Sequence, residues 1–157
     1  MLTARRTVFA AAVGLTLLFG GGDLHAHCQV PCGIYDDAAR IDQLREDVNT
    51  IRKAVTKIGE LAGKQDAQSM NQLSRWVANK EQHAANIIEV MAEYFFAQRI
   101  KSVTASNDGH VEYLEKLGDH HAVIVAAMKT KQKADSGAVD ELSAALDVLA
   151  SYYPHED

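Results

Sequence analysis

The chain has 157 residues, 47% apolar and 24% charged, with a formal net charge of −5; this excludes disorder and collagen-like repeats and suits one globular domain. The acidic balance lacks the basic footprint that neutralises phosphate, so nucleic acid is not an expected partner. Two cysteines are too few for a disulfide scaffold, yet Cys28 and Cys32 stand only four positions apart.

Residues 1–26 read as a leader that is removed. Arg5 and Arg6 make a basic start, an almost uncharged run extends from Thr7 to Phe19, Gly20, Gly21 and Gly22 break it, and Ala26 is the small residue before the cut. The apolar run is about a dozen residues long, whereas a bilayer span needs about 20, so no stable membrane association is expected after cleavage. Arg5-Arg6 resembles a twin-arginine signal, and an ordinary secretory signal fits the same residues. Both predict export, periplasmic or secreted; a leader that serves only maturation leaves the protein in the cytoplasm. A processing protease is an expected partner in each case. With Arg5, Arg6 and Asp23 removed, the remaining chain carries −6 and begins at His27.

Residues 37–157 predict an all-α domain of four helices. Asp36 and Asp37 suit an N-cap and first turn. They precede a stripe of Ile41, Leu44, Val48, Ile51, Val55 and Ile58 at alternating spacings of three and four, which Gly59 and Gly63 end. A second helix, from about Ser69 to Lys101, carries Leu73, Trp76, Val77, Ile87, Ile88, Met91, Tyr94 and Phe95; its length invites a kink or an early end. Ser106-Asn107-Asp108-Gly109 marks a turn. The third helix presents Val111, Leu114, Leu117, Ile124, Val125 and Met128, and the fourth, introduced by Ser136-Gly137 and closed by Pro154, presents Val139, Leu142, Leu146 and Leu149. These stripes are read as core positions of an antiparallel four-helix bundle.

The segment between leader and bundle, residues 27–36, carries the chemistry. Cleavage after Ala26 turns His27 into a free α-amine. The amine nitrogen, the Cys28 amide nitrogen and the Cys28 thiolate then close two five-membered chelate rings, and Cys32 returns as a fourth in-plane ligand because Pro31 turns the intervening chain. Two nitrogens and two sulfurs in a plane suit nickel(II) or copper(II), whereas zinc prefers a tetrahedron. A disulfide between Cys28 and Cys32, or a thiol copper-binding or delivery site, fits the same spacing. The sequence lacks C-x-x-C-H for a c-type haem, and H-E-x-x-H or E-x-x-H for a helix-borne metal. His120 and His121 are adjacent and point about 100° apart on a helix, so surface or core placement is expected for them rather than shared ligation.

The run His27-Cys28-x-x-Pro31-Cys32-Gly33-x-Tyr35-Asp36, exposed by removal of a leader and followed by four helices, resembles nickel-containing superoxide dismutase. Asn71-Gln72-Leu73-x-Arg75-Trp76, Tyr94-Phe95-Phe96-x-Gln98-Arg99-Ile100-Lys101 and Ala127-Met128-Lys129-Thr130-Lys131-Gln132 resemble one branch of that family. The resemblance implies one nickel ion per subunit, held by the His27 amine, the Cys28 backbone nitrogen and the Cys28 and Cys32 thiolates, with the His27 imidazole axial. It implies a homohexamer of four-helix bundles, Tyr35 guarding substrate access and Pro31 shaping the hook. Asp42 lies near the position of the family's glutamate that orients the imidazole, and His83 near that of its arginine. The implied substrate is superoxide, converted to oxygen and hydrogen peroxide by Ni(III)/Ni(II) cycling. An anion approaching a chain of charge −6 needs local steering, from Arg40, Lys53 or a neighbouring subunit.

Overall fold

The computed structural model describes residues 33–155. Within them the chain forms α1 (Asp37–Leu61), α2 (Ala67–Val90), a π-helical segment (Met91–Arg99) that continues α2 without a break, α3 (His110–Gln132) and α4 (Ser136–Ala150), and no strand. Aspartates start three of these helices: Asp36 accepts from the Ala39 amide, Asp66 from Ser69 and Asp135 from Ala138, each at 2.9 Å. Each satisfies an amide that has no partner inside the helix. α1 runs through Gly59 and stops at Ala62; Gly63, at φ +82°, makes the turn, a conformation open to glycine because it lacks a Cβ.

The helices pack in a ring, α1 on α2, α2 on α3, α3 on α4 and α4 back on α1, and short links at 62–66 and 133–135 make neighbours antiparallel. The fold is an all-α four-helix bundle. Its core takes Ile41, Leu44, Val48, Ile51 and Val55 from α1 and Val139, Leu142, Leu146 and Leu149 from α4, all buried. Ile58 is half-buried. The expected long second helix neither ends nor breaks at its middle; it changes hydrogen-bond register, and Ile87, Met91, Tyr94 and Phe95 enter the core across that change. Nearer its start, Leu73 and Trp76 are only half-buried and Val77 is exposed.

The third stripe is corrected by the structure. Val111, Leu114, Val125 and Met128 are exposed, and Leu117 and Ile124 only half-buried. α3 instead turns His120, Val123, Ala126, Ala127 and Thr130 inward. Alanines let α3 approach its neighbours closely, and the polar pair is tolerated because each is bonded. Thr130 Oγ1 donates to the Ala127 carbonyl at 2.7 Å, and His120 uses both ring nitrogens. No helix among the described residues is long and apolar enough to cross a membrane.

Candidate functional site at the entry to the bundle

His27, Cys28 and Cys32 lie outside the described residues, as does Pro31. The described chain begins immediately after Cys32. Among the described residues no three His, Cys, Asp or Glu side chains come together as a metal-holding group.

Tyr35 lies at the mouth of the bundle, 36% exposed. The guanidinium of Arg99 covers its ring at 4.3 Å from the centroid, and the Tyr94 ring meets it edge-on at 5.9 Å. Both contacts follow the charge distribution of an aromatic ring, negative on its faces and positive at its edge. Behind them stands Asp37, in the first turn of α1. Its Oδ1 accepts from the Tyr94 hydroxyl and from Arg99 Nε, each at 2.7 Å, and its Oδ2 accepts from Arg99 Nη2 at 2.6 Å. Burial pushes the Asp37 carboxyl up, but these hydrogen bonds and the Arg99 charge outweigh it and hold the group below the usual carboxylate range. In return, burial and then the Asp37 carboxylate push the Tyr94 phenol up to about 12.

The π register brings this cluster together. Tyr94 and Arg99 are five apart and would diverge on an α-helix, but i→i+5 bonding stacks residues five apart on one face. The Ile100 amide donates to the Phe95 carbonyl, five residues back, at 2.9 Å, and the Gln98 side chain donates from Nε2 to the Glu93 carbonyl at 2.9 Å. Beside the cluster opens a cavity of about 520 Å³ bounded by Tyr35, Asp37, Arg99, Tyr152, Tyr153 and His155. Below it, the buried His120 donates from Nδ1 to the Lys116 carbonyl at 2.6 Å and accepts at Nε2 from the Tyr153 hydroxyl at 2.8 Å. His121 faces out, so the adjacent histidines diverge as expected.

Asp42 and His83, expected to orient the imidazole, take separate partners. Asp42 Oδ2 stands 3.3 Å from His155 Nε2 on the surface, while His83 Nδ1 bonds Asp47 Oδ1 at 2.6 Å and Asn86 Nδ2 donates to the other oxygen of Asp47. Of the two cations considered for steering, Arg40 lies 5.3 Å over the Tyr94 ring, within the cluster, whereas Lys53 lies over Trp76 at 6.0 Å. Sequence reasoning missed Asp37, Tyr94 and Arg99 as neighbours of Tyr35. The signal was present in Tyr94-x-x-x-x-Arg99, a spacing that helical periodicity discards.

A family model described as nickel-containing superoxide dismutase matches residues 23–157, which takes in the whole His27 to Tyr35 run. No curated protein and no solved structure matches the chain.

Proposed function

The chain belongs to the nickel-containing superoxide dismutase family, and on that premise we propose how its own residues carry the reaction. The protein is a superoxide dismutase, an oxidoreductase with nickel as cofactor. The observation that carries the finer reading is that the family match includes the segment from His27 to Tyr35, where the donor atoms stand. In this reading the His27 amine, the Cys28 amide nitrogen and the Cys28 and Cys32 thiolates would hold the metal, one nickel per subunit, with the His27 imidazole available as a further donor. The donor set fits: thiolates and a deprotonated amide favour a square-planar d⁸ ion and donate strongly enough to stabilise its oxidised form. When bound, nickel supplies a one-electron Ni(III)/Ni(II) couple, so that one superoxide leaves as oxygen and a second, with two protons, as hydrogen peroxide.

The leader, residues 1–26, takes part in the chemistry. A peptide bond at His27 makes its nitrogen an amide and removes a ligand, so cleavage creates the site, whether it occurs in the cytoplasm or during export. Tyr35 stands at the gate, and protons arrive from water in the adjoining cavity, from backbone groups or from Tyr35. Six copies assemble as a homohexamer, which sedimentation of the processed protein measures.

Metal analysis and superoxide decay on protein whose first residue is His27 test the reading. About one nickel per chain with rapid decay is expected. Copper retained in preference to nickel, without dismutation, would select the copper-delivery alternative. A variant blocked at cleavage should form its helices, measured by circular dichroism, and lack activity; full activity in it would refute the ligand set.

A further inference from the structure

Tyr35 is held by its faces and edges. Its hydroxyl makes no hydrogen bond among the described residues, while its ring is covered by Arg99 and buttressed by Tyr94. Neither buttress is free to drift, since both are bonded to one carboxylate, Asp37, which receives Tyr94 Oη, Arg99 Nε and Arg99 Nη2 at 2.6–2.7 Å. The fork of Arg99 onto Asp37 is bidentate, which fixes the plane of the guanidinium and therefore the plane offered to Tyr35. Asp37 belongs to α1, and Tyr94 and Arg99 to the π segment, so the cluster ties the start of one helix to the end of another. Tyr35 follows Cys32 by three residues, a reach of at most about 11 Å.

We propose that Asp37, Arg99 and Tyr94 form a latch that positions Tyr35 at the metal hook, with Arg99 the positioning residue that touches it and Asp37 the anchor that aims Arg99. The π register sets residues 94 and 99 where both reach the same carboxylate. The latch rests on the reading of Tyr35 as the gate of the nickel site. Its consequence is that the Tyr35 ring is held in place before substrate arrives, and that loosening the latch slows the reaction without removing a metal ligand.

The test labels the tyrosines of the full chain with 3-fluorotyrosine and reads the five fluorine resonances, assigned by single Tyr→Phe changes; the chain has five tyrosines. In the unaltered protein the Tyr35 resonance should stand apart from that of the denatured chain. In Arg99→Met it should move to the denatured position while Tyr153, buried and bonded to His120, keeps its native one. At matched nickel content the second-order rate constant for superoxide loss should fall by on the order of tenfold, the scale of a modest misplacement. A Tyr35 resonance unmoved in Arg99→Met overturns the latch, and a moved resonance with an unchanged rate overturns its link to the reaction. If Arg99→Met also loses the Tyr153 resonance, Arg99→Lys decides in its place: lysine keeps the charge but not the fork, so the Tyr35 resonance moves if the latch holds it and stays if it does not. Failure of the functional reading would show separately, as absent dismutation in the unaltered protein, because the fluorine resonances report the latch without it.

Discussion

His120 shows how much one residue can owe to its surroundings. On the sequence it is one of seven histidines; in the bundle its side chain is fully buried, ringed by Phe95, Phe96, Tyr152 and Tyr153. Both nitrogens are bonded in a way that suits the neutral tautomer, Nδ1 donating and Nε2 accepting. Burial pushes its pKa down to about 4. The unfolded chain takes up that proton near the ordinary value of 6.5 and the folded one only near 4, so stability is full above about pH 6.5 and falls as the pH drops toward 4. The loss reaches up to about 3 kcal/mol. Urea midpoints of the wild type should decline over that interval, and His120→Gln, which cannot titrate, should show a shallower decline; parallel curves would remove His120 from the cause.

Among the elements, α2 and its π continuation do the most to organise the molecule. At one end the π segment closes on Asp37. Toward the other, α2 sends Lys80, 3% exposed, across to the end of α3, where Nζ donates to the Thr130 and Lys131 carbonyls and also meets Glu81 at 2.7 Å. A cation on the last carbonyls of a helix satisfies acceptors that have no partner inside it and faces the negative end of its dipole. Lys80→Met keeps the stem and removes the donors, so it should destabilise the bundle by about 1–3 kcal/mol, read from the denaturant midpoint with the helical signal at neutral pH unchanged. A midpoint equal to the wild type would show that water replaces the ammonium at no cost.

For the whole molecule the decisive quantity is charge. The whole chain carries −5 and residues 27–157 carry −6, so the average field repels superoxide, and attraction has to come from local cations. Arg99 is neutralised by Asp37. Arg40 makes no ion pair among the described residues; it bonds Gln43 at 2.9 Å and covers Tyr94. Arg40→Gln should therefore lower the superoxide rate constant several-fold at low ionic strength. It should converge with the wild type near 1 M salt, where the screening length is about 3 Å. An unchanging ratio across that range would deny Arg40 a steering role.

Local sequence carries the helical class, the stripes of α1 and α4, the cap at Asp36 and the run from His27 to Asp36, because each of these depends on local spacing or on the chemistry of neighbouring residues; the caps Asp66 and Asp135 are not read from it. Packing chose which face of α3 is buried, the change to π register and the grouping of Asp37, Tyr94 and Arg99 around Tyr35. The reason is common to all three. Leu114 and Met128 have the hydrophobicity of core residues and His120 and Thr130 do not, yet burial goes to the side chains whose polar groups find partners and whose size lets helices approach. Those partners come from other parts of the chain, as Tyr153 reaches His120 across 33 residues and Arg99 reaches Asp37 across 62. Local periodicity contains no record of them, and packing alone selects among the faces that it permits.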